Sequence, residues 1–194
     1  MAIFGERPIE IAAVTLGLIN ITLLVRRSIW NYPFGIVMVT LYAWIFYDAK
    51  LCSEVGLQVF FFAIQIYGWV QWHRARDNTG LVVVRRMSEK QMLVYGASIA
   101  VGTLALGSFM SRITDASFPY WDGSIAVLSV AAQILLARRR LENWILWIIV
   151  DILAIGLFAT KGLWPTAILY GIFLAMAVAG FLSWRKSYAA QQNN

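Results

Sequence analysis

The chain has 194 residues, of which 60% are hydrophobic and only 13% are charged, with a formal net charge of +6. A soluble domain of this length needs far more polar surface to cover its core, so the composition excludes an ordinary soluble protein. A single cysteine, Cys52, excludes an intrachain disulfide, and with a single histidine, His73, no ordinary zinc or haem site is expected, nor any cofactor.

Seven apolar segments, each of about the length that crosses a bilayer as a helix, follow one another along the chain. They cover about residues 9–25, 28–47, 55–73, 91–110, 120–137, 142–160 and 163–184. None alternates between apolar and polar residues, which disfavours strands. We therefore predict an all-α integral membrane protein in which residues 1–194 form a single membrane domain. The first ten residues lack the features of a signal peptide, so the first segment is expected to stay as a helix.

The basic residues are sorted along the chain. Twelve of the 16 Lys and Arg residues lie after the first, third, fifth and seventh segments. The positive-inside rule then predicts a multi-pass protein of the inner membrane, with the N-terminus outside and the C-terminus in the cytoplasm. This sorting indicates a lipid bilayer rather than nucleic acid as the partner. Within the long loop 74–90, Val82–Val84 could form a short apolar contact, but a solvated tether is the expectation. The tail after Trp184 is expected to be disordered.

Two parts of the sequence repeat each other. Residues 26–74 and 138–186 align without a gap at a constant offset of 112. We predict a first three-helix bundle at 9–73, a linker helix at 91–110 and a second three-helix bundle at 120–184. Because three helices would invert the next copy, the linker helix restores the orientation and the repeats are parallel. Substrate sites form where membrane repeats meet, so this pattern is typical of a small transporter.

Asp151 is the only acidic residue in the interior of a segment, since the other nine lie at segment ends or in loops. A carboxylate at the bilayer centre costs roughly 2.5–3.5 kcal/mol even on the permissive insertion scale, so it must be protonated, hydrogen-bonded or opposite a cationic ligand. Trp144, Trp147 and Asp151 share one helix face by their spacing. Aromatic rings beside a carboxylate suit a flat cation, although both tryptophans could instead be packing residues.

Other polar side chains inside the segments extend this candidate substrate site. Glutamine within a span needs a partner and often bonds neighbouring helices together, so Gln65 could equally form a packing hydrogen bond. For the other polar residues, taken singly, a packing hydrogen bond is the commoner role. No phosphate-binding loop is present, and no nucleophile–base or metal set indicates an enzyme. The further candidate residues are Asn20, Thr40, Gln58, Gln65, Gln133 and Tyr170.

Several local motifs occur in order from one end of the chain to the other. They are Asn31-Tyr-Pro-Phe-Gly35, Leu57-Gln58-Val-Phe-Phe-Phe62 with Ile66-Tyr67-Gly68-Trp69, Phe118-Pro-Tyr-Trp-Asp122, and Glu142-Asn143-Trp144 with Trp147. With these motifs the chain resembles the PnuC family of vitamin-precursor transporters over about residues 9–184. The resemblance implies a SWEET-like 3+1+3 arrangement, a homotrimer and facilitated diffusion of nicotinamide riboside, which a cytoplasmic kinase then traps.

The resemblance also implies roles for single residues. Gln58 takes the place of the binding glutamine of the third helix, and Trp144 and Trp147 take those of the two stacking tryptophans. The position four residues after Trp147 is usually Asn in nicotinamide riboside carriers, whereas here it is Asp151. A carboxylate prefers a cation or the paired donors of a protonated aminopyrimidine, and thiamine offers both.

The leading hypothesis is therefore a passive carrier for a cationic vitamin precursor, with nicotinamide riboside as the family default. Three alternatives stay open: a thiamine transporter of the same family, a proton-coupled carrier that uses Asp151, and a ligand-sensing or assembly subunit that transports nothing. None of the four is an enzyme.

Overall fold

The computed structural model is helical through most of the residues that it describes, which are 8–48, 52–75, 82–114 and 117–192. Four helices in these ranges, α4 to α7, are long and apolar enough to cross a membrane, and Ile11–Val25 of α1 is apolar but shorter. The prediction of an all-helical membrane protein is thereby confirmed. Arg7, Lys50 and Arg76, which entered the charge pattern, lie outside the described residues. The seven helices of the described ranges are α1 Pro8–Val25, α2 Asn31–Asp48, α3 Cys52–His73, α4 Glu89–Ile113, α5 Pro119–Ala137, α6 Asn143–Thr160 and α7 Trp164–Gln192.

The chain divides into two compact units, Met1–Val83 and Val84–Asn194. In the first unit, α1 packs on α2 and α2 packs on α3. In the second unit, α4 packs on α5, α5 on α6 and α6 on α7. The helix that the sequence predicts as a linker therefore packs within the second unit. A Cβ atom built on Gly123 of α5 would lie 3.3 Å from the backbone nitrogen of Gly107 of α4, so the absent side chains allow this close approach.

The repeat is present in the backbone, residue by residue. Arg27 and Arg139, which occupy equivalent positions of the two copies, adopt the left-handed conformation with φ of 56° and 61°. Each ends its helix with the same pair of bonds, in which the N–H of the arginine and the N–H of the next residue reach back over the last turn. A non-glycine residue in this conformation costs about 1–2 kcal/mol, so its presence at both positions reflects one shared loop design.

An asparagine closes each of these two loops. Asn31 Nδ2 donates to the carbonyl of Ser28 at 2.7 Å, and Asn143 Nδ2 donates to the carbonyl of Arg140 at 2.6 Å. Both asparagines are buried and each begins a helix, α2 or α6. The side-chain amide thus supplies a backbone-like bond where the chain reverses between two helices.

A buried aromatic pair packs over a glycine in each unit. Tyr32 meets Trp72 edge to face at 5.2 Å between ring centroids, and Trp144 meets Trp184 in the same manner at 5.7 Å. A Cβ atom on Gly68 would collide with the ring of Tyr32, and one on Gly180 would collide with the ring of Trp144. The glycine of each pair therefore leaves the space in which the aromatic ring of the neighbouring helix sits.

Two expectations about the connections were wrong. Val82 and Val84 are only 1% and 3% exposed, so this end of the long loop is not a solvated tether. The guanidinium of Arg27 donates to the Val82 carbonyl at 3.1 Å, and Arg85 pairs with the backbone of the loop between α5 and α6. Backbone groups that pair in this way hold the segment against the protein.

The tail after Trp184 is also ordered. α7 continues to Gln192, beyond the point at which the two repeats cease to match. Gln192 Nε2 donates to the Tyr188 hydroxyl at 2.7 Å, one turn earlier on the same face. Such i, i+4 bonds and the alanines of this segment favour helix, which the polar ending of the sequence concealed.

Candidate substrate-binding site

Asp151 lies at the middle of α6 and is 4% exposed. No hydrogen bond or ion pair joins its carboxylate to another residue of the described ranges. Its counterpart in the first repeat is Val39, which is 3% exposed. The fold therefore buries this position in both repeats. The valine of the first repeat shows that an apolar side chain is enough for packing there. A carboxylate here must have a chemical reason, because burying a charge without a partner is costly.

Tyr170 of α7 is brought close to Asp151, within reach of its charge. Its ring is half-buried, stacks on Phe158 with 5.3 Å between centroids, and meets the edge of Phe173 at 5.7 Å. Three aromatic rings thus lie together in the second unit on α6 and α7. Phe158 and Phe173 were not among the candidates, although both appear in the sequence as partners of phenylalanines in the first repeat.

The two tryptophans of α6 are in different environments. Trp147, one turn before Asp151, is half-buried. Trp144 is 2% exposed, and its ring is covered by Trp184 and by the backbone at Gly180. Its indole N–H has no hydrogen-bond partner among the described residues. Of the two, Trp147 is the ring that is partly accessible in this structure.

Gln133 of α5 is buried in the same unit, with 9% exposed, and forms no hydrogen bond to a described residue. A nearby residue that sequence reasoning missed is Trp121, whose indole N–H donates to the Leu153 carbonyl at 3.0 Å and whose ring packs over Gly156. This bond fixes the α6 backbone two residues after Asp151. The interface position of Trp121 in the sequence gave no signal for that role.

The candidates of the first unit form a separate group around Gly35 of α2. Asn20 Nδ2 donates to the Asn31 carbonyl at 2.5 Å, and a Cβ atom on Gly35 would collide with the amides of both Asn20 and Gln65. Both amides are buried, with 8% and 6% exposed. Two polar side chains therefore fill the space beside a glycine.

Gln58 and Thr40 are not part of this group of amides. Gln58 is half-buried on α3. Thr40 is exposed, and its hydroxyl donates to the Ile36 carbonyl of its own helix at 2.8 Å. That bond satisfies the hydroxyl within α2.

Known proteins resemble the chain over most of its length. The nicotinamide riboside transporter PnuC of Escherichia coli (strain K12) is 31% identical over 204 residues, with 92% of this chain and 85% of that protein covered. The riboflavin/roseoflavin transporter RibM of Streptomyces davaonensis is 31% identical over 172 residues, with 87% and 80% covered.

The likeness extends to a solved structure and to a whole family. A crystal structure of the vitamin B3 transporter PnuC matches with a TM-score of 0.74 and 29% identity, with 94% of this chain and 82% of that chain covered. The family described as nicotinamide mononucleotide transporter matches residues 7–186. This chain therefore belongs to that family of membrane transporters.

Proposed function

We propose that the protein is a passive carrier for a cationic vitamin precursor, and that Asp151 is the charge partner of the substrate. The observation that carries the proposal is the buried carboxylate at the middle of α6, without a hydrogen bond or ion pair among the described residues, where the other repeat has valine. In a transporter family, an ionisable residue at this depth is by default part of the substrate pathway.

The surroundings of Asp151 favour a flat, positively charged ring. Tyr170 is near enough to Asp151 for an electrostatic interaction with its carboxylate, and Trp147 is half-buried one turn away on the same helix. Aromatic faces attract cations by about 0.5–2 kcal/mol, more when water is excluded. Nicotinamide riboside has a pyridinium ring, and relatives of this chain carry its name. We assign it as the substrate on these grounds.

The remaining candidates receive polar or positioning roles. Gln133 is buried without a partner among the described residues and is assigned to the polar groups of the substrate. Gln58 keeps the role that the family resemblance implies. Asn20 and Gln65 are proposed as polar contacts of the first unit, and Thr40 as a minor one. Trp144 is assigned to support α6 from behind, because its ring is covered by Trp184.

The carboxylate of Asp151 also favours a second candidate substrate. A carboxylate pairs well with a protonated aminopyrimidine, so thiamine is the alternative substrate. RibM carries riboflavin and roseoflavin in its name, but their ring systems lack the fixed charge that would pair with a carboxylate. Proton coupling through Asp151 is the alternative mechanism, and a subunit that senses ligand without transporting it is the alternative from another class.

The architecture that we propose has seven spans, with two parallel three-helix repeats and α4 between them in a SWEET-like order. The matching loops at Arg27 and Arg139 support this arrangement. The basic loops support an inner-membrane protein with its N-terminus outside and its C-terminus in the cytoplasm. A homotrimer and coupling to a cytoplasmic kinase follow from the family resemblance.

Counterflow in liposomes tests the proposal. Vesicles that hold the purified protein and unlabelled nicotinamide riboside should accumulate labelled nicotinamide riboside without a proton gradient. In vesicles without internal substrate, an imposed proton gradient should not drive accumulation of the labelled compound. Accumulation there that an uncoupler abolishes would favour proton coupling. Binding without any counterflow would identify a sensing subunit, and counterflow of thiamine alone would change the substrate.

A further inference from the structure

A groove of about 390 Å³ lies in the second unit between α6 and α7, at the ends that carry the basic loops. We call it the α6–α7 groove and define it by Arg86, Glu142, Ile145, Phe181, Arg185 and Tyr188, which line it. None of these residues belongs to the candidate substrate site around Asp151. Nothing in the transport proposal uses the groove.

The charged groups of the groove leave a positive charge free. Both oxygens of Glu142 are engaged, one by Arg86 Nε at 3.4 Å and the other by the backbone N–H of Met87 at 3.1 Å. Arg185 forms no hydrogen bond or ion pair with a described residue. The terminal nitrogens of Arg86 are also without a bond in the described ranges, since only its Nε meets Glu142. The groove therefore holds two guanidinium groups, of Arg86 and Arg185, and one carboxylate, of Glu142, which leaves one positive charge in excess.

Two of the residues that line the groove, Arg86 and Tyr188, lie outside the repeat and have no counterpart in the first copy. Arg86 is placed by backbone pairing of Arg85 with the loop after α5, where the Arg140 guanidinium also donates to the Arg86 carbonyl. The second wall comes from the extension of α7, where Tyr188 accepts a bond from Gln192. That bond leaves the hydroxyl proton of Tyr188 available to a ligand.

The equivalent place in the first unit is a useful contrast. A shallower groove of about 300 Å³ there is lined by Trp69, Val70, His73 and Arg74. In the alignment of the two repeats, Trp69 and His73 are the counterparts of Phe181 and Arg185. Because α3 ends at His73, the described residues of that unit supply no second wall of the kind that Tyr188 provides.

We propose that the α6–α7 groove binds an acidic phospholipid, with the phosphate on Arg185 and Arg86 and the start of an acyl chain on Ile145 and Phe181. Paired guanidiniums and a free hydroxyl suit a phosphate, and the apolar walls suit the chain that a free phosphate lacks. Basic pockets at the cytoplasmic ends of membrane helices recognise such headgroups. The inference depends on the proposed orientation of the basic loops but not on any substrate.

The test is lipid binding to the purified full-length protein in detergent, followed by native mass spectrometry and by thermal unfolding with added phosphatidylglycerol. We expect phosphatidylglycerol to bind and to raise the Tm, while phosphatidylcholine does neither. Arg185→Gln should weaken phosphatidylglycerol binding at least about tenfold, since a charge-assisted hydrogen bond from the guanidinium to the phosphate is lost. Tyr188→Phe, which keeps the packing of the ring, should weaken it by a similar factor.

Lys186→Gln is the matched control. Lys186 is the exposed neighbour of Arg185, does not line the groove and carries the same charge. Its substitution should leave lipid binding unchanged, whereas equal losses in both variants would overturn the proposal in favour of a general surface charge. Displacement of the lipid by inorganic phosphate at equal concentration, or equal binding of phosphatidylcholine, would overturn it as well. Substrate binding is measured on the same samples and is expected to be unchanged in all three variants.

Discussion

Val39 in the first repeat and Asp151 in the second occupy equivalent positions and are 3% and 4% exposed. The helices around them begin and end at equivalent residues, and the loops before them share the same left-handed arginine. One position holds a methyl-bearing side chain and the other a carboxylate. Because the fold buries a valine equally well at this position, packing does not require the carboxylate of Asp151, and this supports a functional role for it.

The two repeats also differ in the size of the side chain at a second pair of equivalent positions. Gly35 of the first repeat corresponds to Trp147 of the second. Around Gly35 the neighbours are the amides of Asn20 and Gln65. The offset of 112 pairs Gln65 with Ala177 and, when it is continued into the preceding helix, Asn20 with Ala132, and both alanines are buried. In the first repeat two amides fill the space beside the glycine. If the two repeats share this packing, the indole of Trp147 takes the place of those amides in the second repeat.

Gly35→Trp should have the largest effect, because the indole would enter space that Asn20 and Gln65 already fill. Overpacking on this scale costs more than about 3 kcal/mol, so we expect a severe loss of folded protein on size-exclusion chromatography. The triple variant that adds Asn20→Ala and Gln65→Ala copies the second repeat and should recover much of the folded fraction. No recovery in the triple variant would show that the two repeats do not share this packing.

Asp151→Val copies the first repeat at the central position. The protein should insert and fold at least as well as the wild type, because a costly carboxylate is removed from the span. Affinity for nicotinamide riboside should fall at least about 30-fold, the lower end of the effect of truncating one member of a buried charge pair. Calorimetric titration measures it. Val39→Ala serves as the control and should change affinity by less than about threefold, since neither residue at that position is charged.

Gly180→Ala and Gly68→Ala test whether the aromatic pairs are equivalent. Each added methyl group would collide with the ring of Trp144 or Tyr32, and we expect each to lower stability by about 1–3 kcal/mol. Thermal unfolding in detergent should give Tm losses of similar size. A loss in one variant alone would mean that the pairs have different roles, and a selective loss of substrate affinity in Gly180→Ala would place Trp144 in contact with the substrate.

Trp147→Gly, the reverse of the first variant, should have the smallest effect. It removes a half-buried ring beside Asp151, and the lost cation–π attraction should weaken binding of nicotinamide riboside about tenfold. Trp147→Phe keeps an aromatic face and should restore most of the affinity. Calorimetric titration is again the readout, and unchanged affinity in Trp147→Gly would remove this residue from the site.

The repeat made much of the fold predictable. The bounds of the predicted apolar segments fall within a few residues of the observed helices, except at the end of α7, and α2 and α6 begin at Asn31 and Asn143, which the constant offset of 112 pairs. The structure of the connections was harder to predict from the sequence, because the burial of Val82 and Val84 depends on backbone bonds to residues far along the chain. Hydropathy carries no information about such pairing.

The candidate site was predictable in part. Asp151 stood out because a lone carboxylate in an apolar segment has a large cost, and that signal is independent of packing. The difference between Trp144 and Trp147 was not visible, since both share a helix face and only the position of Trp184 covers one of them. The amides beside Gly35 were seen as separate polar residues. Their shared glycine is apparent only in the folded first unit, where α1 and α3 both pack on α2.

The most direct measurement compares nicotinamide riboside with its reduced form, in which the dihydropyridine ring has the same size but no positive charge. If Asp151 is the charge partner of the substrate, the wild type should bind the cation at least about 30-fold more tightly than the reduced form. The Asp151→Asn variant should bind the two with nearly equal affinity. Equal affinities in the wild type, or a preference that persists in Asp151→Asn, would contradict the account.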